Sequence, residues 1–121
     1  MKNEGSGRAP SKGADEGVDS EMDRVGSKLL FENERVRIWE VKLEPGETGN
    51  LHRHALDYVL VQIEGDRMAI VPDESSRGEY AEYMEADVVP GQHFWIEKGG
   101  VGRARNVGTT PYHEILVELK E

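Results

Sequence analysis

The side chains of this 121-residue chain best placed to do chemistry are those of His52 and His54. Only Arg53 separates them, and on a β-strand residues i and i+2 project from the same face. Two imidazoles on one inner face, a few ångströms apart, make half of a transition-metal site. Two histidines alone hold a divalent ion weakly, so further donors have to be sought. Gln62 shares its strand parity with Tyr58, and His93 and His113 fall in strand-like segments where either could face inward. No spacing compels a ligand role for these three. The simpler reading makes His93 a rim residue and His113 a polar residue at a strand start.

Other chemistries find little support. The chain has no cysteine, which excludes a disulfide scaffold, a thiolate zinc site, an iron–sulfur cluster and a cysteine nucleophile. Gly99-Gly100-Val101-Gly102 lacks the Lys-Ser/Thr pair and the following helix that phosphate binding needs. Thr109 and Thr110 have no base at a motif spacing. Trp39 and Trp95 read as core. Arg103 and Arg105 alternate away from Gly102 and Ala104, which places them on the outer face. Asp and Glu number 24 against 15 Lys and Arg, a net charge of −9. A chain so acidic, with a pI near 4.9, repels nucleic acid phosphates and anionic membrane surfaces.

The elements that must position the histidines are β-strands. Residues 1–25 are rich in Gly, Ser and charge, with no apolar period, and read as a disordered or loosely ordered tail. Residues 26–121 form the one domain. Short strand-like runs follow, at Lys28 to Phe31, Glu34 to Leu43, the polar Asn50 to Ala55, Tyr58 to Ile63, Arg67 to Val71, the weaker Glu79 to Ala86, Gln92 to Glu97, Val101 to Val107 and Tyr112 to Leu119. Turn signals such as Pro45-Gly46, Glu64-Gly65-Asp66 and Pro90-Gly91 separate them. The last run alternates cleanly, with Tyr112, Glu114, Leu116 and Glu118 on one face and His113, Ile115, Val117 and Leu119 on the other. The pattern predicts an all-β, antiparallel sandwich or barrel without a helix of useful length. About eight strands enclose room for one small ligand.

Gly46, His52, His54 and Gly65 fall at the spacing of the first cupin motif, and Gly91, Gly99 and Asn106 at that of the second. Over residues 29 to 119 the chain resembles small single-domain cupins, divergent in both metal motifs. The resemblance implies a jelly roll, or double-stranded β-helix, with a pocket inside the barrel. It also implies a metal held by three histidines and a glutamate. Here the glutamate position is Tyr58, and the third histidine position is Gly102. Gly102 shares parity with Ala104 and Asn106, so this wall carries very small side chains. Water, a ligand or a leaning neighbour must fill the space, and Gly102→His should restore the third imidazole.

On the resemblance, the metal residues are His52 and His54, holding a divalent ion weakly or not at all, with Tyr58 as the catalytic proton donor. The chain would bind a small molecule in the barrel pocket, as a metal-dependent dioxygenase or isomerase of a small organic acid. The alternative is a metal-free small-molecule-binding or regulatory barrel without catalysis. The expected partners are a small-molecule ligand and a second copy of the chain, with Leu29, Leu30 and Phe31 adding to the partner's sheet. Neither nucleic acid nor membrane is expected, and the expected location is cytoplasmic. 

Overall fold

The computed structural model describes residues 23–120. Of the expected tail, residues 1–22 lie outside the described residues. The last three residues of that segment lie against the domain. Val25 is buried in the core, Arg53 donates two hydrogen bonds to Asp23, and the Arg24 guanidinium lies 5.3 Å from the Trp39 ring centroid.

The strands are β1 (Lys28–Glu32), β2 (Val36–Leu43), β3 (His52–Arg53), β4 (Asp57–Glu64), β5 (Arg67–Ile70), β6 (Met84–Asp87), β7 (His93–Ile96), β8 (Val101–Gly102), β9 (Ala104–Asn106) and β10 (Tyr112–Leu119). They pair antiparallel throughout. Five form a sheet in the order β1-β2-β10-β4-β7, three form a sheet in the order β9-β5-β6, and β3 pairs with β8. The architecture is thus nearly all β, as the turn spacing predicts. The two Pro–Gly corners explain the motif glycines, since Gly46 and Gly91 take φ of +87° and +91°, a region that side chains with a Cβ avoid.

β10 is the central strand of the larger sheet, and its alternation sets the interior. Tyr112, Glu114, Leu116 and Glu118 are buried, and the residues between them face outward. The inward rows of β2 and β4 contribute Trp39, Leu43, Tyr58 and Gln62. Apolar packing gathers in two clusters. Val25, Leu29, Trp39, Tyr58 and Leu116 form one, and Leu43, Val88 and Tyr112 form the other. Trp39 is fully buried, and its indole Nε1–H donates to Glu118 Oε1 at 2.8 Å, so the buried carboxylate is satisfied. Asn106, the asparagine of the second motif, is structural. Its amide donates to the carbonyls of Leu43 and Thr110 and accepts from Gly108 N–H.

Three expectations need correction. The run from Glu79 to Ala86 is not one strand. Gly78, at φ +67°, opens a short 3-10 turn, Gly78–Tyr80, and pairing resumes only at Met84. Trp95 is not core. It pairs with Val59 on the outer face of an edge strand and is 56% exposed. The run from Val101 to Val107 is broken at Arg103, whose Nε donates to the Val71 carbonyl.

Candidate functional site

β3 and the residue after it carry the two histidines. His54 is pinned by its backbone, its N–H to Gly100 O at 2.8 Å and its carbonyl accepting from Gly99 N at 2.9 Å. His52 sits opposite Gly102 in the β3–β8 register. The two side chains meet as the spacing predicts, with their Nε2 atoms 3.0 Å apart.

The proton positions follow from the partners. His52 Nδ1 lies 2.9 Å from the Asn50 carbonyl, which can only accept, so Nδ1 carries the hydrogen and His52 Nε2 is a bare acceptor. His54 Nε2 must then carry its proton and donate it to His52. That assignment leaves His54 Nδ1 as the buried atom without a partner among the described residues. A bare acceptor there costs less than an unpaired N–H would. Burial lowers the affinity of both rings for a second proton. It pushes His54 down to about 2, helped by its neighbour His52, and His52 is lowered by burial against the hydrogen bond to Asn50. The pair is neutral.

The network continues through a residue that no motif marks. The Tyr80 hydroxyl lies 3.0 Å from His54 Nε2 and 2.5 Å from the Tyr58 hydroxyl. The His54 ring stacks on both tyrosines, with centroids 4.1 Å from Tyr58 and 5.3 Å from Tyr80. Tyr80 comes from the 3-10 turn and occupies the space that Gly102 leaves. A Cβ on Gly102 would lie 2.2 Å from the Tyr80 Cβ and 2.6 Å from its Cγ. A neighbour therefore leans in. The expectation that Gly102→His restores an imidazole ligand fails, because Tyr80 already fills that position.

The donor set can be judged against the metal that the cupin resemblance implies. Two nitrogens about 2.0–2.1 Å from one ion stand roughly 3 Å apart when they are adjacent ligands, so His52 and His54 could supply two. Among the described residues no group of three or more His, Cys, Asp or Glu side chains comes together. The remaining donors are the Tyr58 and Tyr80 phenols. Burial first, and their mutual contact for Tyr58, raise both well above the ordinary phenol range, so both stay neutral. With no carboxylate and no third imidazole, the residues present do not fit a tightly held catalytic metal. Of the supplementary candidates, His93 is exposed on β7 and His113 faces outward to Glu40 at 3.2 Å. Gln62 points inward but donates to the Tyr112 hydroxyl.

A cavity of about 380 Å³ lies between the sheets, and His52, Tyr80, Gln62, Tyr112 and Glu114 supply polar groups to its wall. The rest of the lining is mainly apolar, from residues such as Leu60, Met68, Ile70 and Ala104. Met84 and Phe94 also line it yet are 53% and 40% exposed. The cavity thus opens where β6 and β7, the edge strands of their sheets, run unpaired with each other. Tyr58, the expected proton donor, is fully buried and absent from this lining, and it reaches the cavity through the Tyr80 hydroxyl.

Tyr80 and Glu114 are the site residues that sequence reasoning missed. The parity of Glu114 with Tyr112 and Leu116 was visible, but alternation alone does not say which face turns inward. For Tyr80 the only signal was the missing side chain at Gly102.

No family model and no curated protein matches the chain. Solved structures do. A cupin domain from Bordetella pertussis Tohama I superposes with a TM-score of 0.64 at 23% identity, over 78% of this chain and 91% of that one. An RmlC-like cupin family protein with a double-stranded β-helix fold, from Methanocaldococcus jannaschii, gives 0.60 at 17% identity over 77% of each chain. Oxalate oxidase in complex with the substrate analogue glycolate gives 0.51 at 21% identity, over 68% of this chain but 40% of the enzyme. With the jelly-roll strand order and the motif glycines at its corners, the chain has the cupin fold.

Proposed function

We propose that this chain is a small-molecule-binding cupin barrel that works without a resident metal. The observation that carries the reading is Tyr80, which fills the space beside Gly102 and ties His54 to Tyr58. In this reading His52 and Tyr80 form the polar wall against the ligand, the Tyr80 hydroxyl supplying the hydrogen-bonding group, and His54 and Tyr58 hold them in place from behind. A metal-dependent dioxygenase or isomerase of a small organic acid is the second reading, favoured by the 3.0 Å approach of the two Nε2 atoms. Metal analysis of protein purified without an affinity tag or chelator tests the choice. Well below one metal per chain is expected, with zinc and manganese titrations showing only weak binding. One tightly held ion per chain would overturn the proposal in favour of the second reading.

A homodimer is also proposed. Leu29 is drawn into its own chain's core, but the outer edge of β1 is unpaired among the described residues. The outward face of the larger sheet presents Ile38, Val59, Val61, Trp95, Ile115 and Val117. Three of its five strands have eight residues, β1 has five and β7 four, so at about 3.4 Å per residue and about 4.8 Å between strands the face covers roughly 540 Å², about two thirds of the ~800 Å² per partner of a standard interface. Among the described residues no helix is long and apolar enough to cross a membrane. A cytoplasmic location is proposed with this reading, and the net charge of −9 speaks against nucleic acid and anionic membrane surfaces as partners.

A further inference from the structure

The cavity wall holds a second polar group, separate from the histidines. Glu114 is 8% exposed on the central strand β10 and lines the cavity. Its hydrogen-bond partner is the Tyr112 hydroxyl, which donates to Glu114 Oε1 and accepts from Gln62 Nε2 at 3.2 Å. That arrangement leaves Gln62 Oε1, also buried, as an acceptor without a partner among the described residues. The cations of the lining are engaged elsewhere, Arg24 over the Trp39 ring and the Lys42 ammonium 4.0 Å from Glu40. A carboxylate short of donors therefore lines the cavity between apolar walls, and the partnerless carbonyl oxygen belongs to its cross-strand neighbour, buried in the same wall. A buried carboxylate without a cation is costly, and a ligand that brings the cation removes that cost.

We infer that the cavity takes a protonated primary amine on a compact apolar body, its ammonium on Glu114 and Gln62 Oε1 and its body between Met84 and Phe94 at the mouth. An ammonium has three donors and no acceptor, which matches this pair of acceptors. A carboxylic acid would put like groups together once both are ionised, and an alcohol would supply a single donor. The volume suits a ligand near the small end of the usual pocket range.

The inference rests on the pocket-binding reading above, and three near-isosteric probes separate the two. Phenethylamine, 2-phenylethanol and phenylacetate are titrated calorimetrically into the full chain at about pH 8, where alkylammonium and carboxylate are both charged. Phenethylamine should bind at least about tenfold tighter than 2-phenylethanol, with phenylacetate weakest. Glu114→Gln should narrow the gap between amine and alcohol to within about twofold. The order among the probes on the wild-type protein needs no variant, so a folding defect in Glu114→Gln does not blunt the test. Alcohol or phenylacetate binding as tightly as the amine overturns the amine assignment and leaves the pocket reading standing, as does an undiminished preference in a folded Glu114→Gln. Failure of all three probes to bind overturns both.

Discussion

Gly102→Ala is the sharpest test of how this interior is built. Gly102 does not have a positive φ, so alanine suits its backbone and the cost is steric alone. The new methyl would stand 2.2 Å from the Tyr80 Cβ, 2.6 Å from Cγ and 2.9 Å from Cδ1. These atoms are the root of the side chain, so no rotamer change relieves the contact and the whole residue must move. Overpacking of this kind costs about 1–3 kcal/mol. Displacing Tyr80 also breaks its buried hydrogen bonds to His54 and Tyr58, adding about 1–3 kcal/mol. The expected loss is about 2–6 kcal/mol, or at least ~10 °C in Tm for a domain of this size. Urea unfolding followed by the fluorescence of buried Trp39 measures it. Tyr80→Gly completes a double-mutant cycle, since alanine at 80 would keep the offending Cβ. Removing the ring costs about 3–5 kcal/mol by itself. The double variant should be more stable than the sum of the singles by at least about 1 kcal/mol. A Gly102→Ala protein within ~0.5 kcal/mol of wild type, or an additive cycle, would refute the reasoning.

Two further outcomes are expected. Burial raises Glu114 from 4.5 to about 7, against its hydrogen bond from Tyr112. Its contribution is fully present below about pH 4.5 and is lost as pH rises through about 7, some 3 kcal/mol in order of magnitude. His54 has the opposite slope, its contribution falling away as pH drops below the ordinary imidazole range, but it is common to wild type and Glu114→Gln. The stability difference between those two proteins, from urea unfolding at about pH 5 and about pH 8, should therefore move against wild type as pH rises, and parallel curves would remove Glu114 from the account. In sedimentation at micromolar concentration the wild type should run as a dimer and Trp95→Glu as a monomer. A monomeric wild type would remove the sheet face as an interface.

The fold was largely legible in the sequence because short strands and Gly-bearing turns act locally. Alternation in β10 and the Pro–Gly corners need no knowledge of the rest of the chain. The His52–His54 approach was legible for the same reason, since strand geometry alone brings residues two apart to one face. Trp95 was misread because an aromatic side chain on an edge strand has the same local signature whether or not anything covers it. Tyr80 was invisible because its role depends on a contact between segments more than twenty residues apart, and a 3-10 turn opened by Gly78 aims it. Glu114 was ambiguous because a strand with carboxylates on one face and aliphatics on the other suggests the wrong side turns inward. Burial of Glu114 and Glu118 is decided by Tyr112 and Trp39, their hydrogen-bond donors.

The interlock of Tyr80 with Gly102 also restricts the substitutions by which a lineage could acquire a three-imidazole centre. Histidine at 102 is inadmissible while any side chain longer than a hydrogen stands at 80, because the conflict begins at the two Cβ atoms. Trimming residue 80 first leaves a void the size of a phenol ring and strips His54 and Tyr58 of a partner. Each single step is thus expected to be deleterious, and only the pair together is tolerable. A contact of this kind works as a ratchet, holding the barrel in its present chemistry whatever advantage a metal would bring.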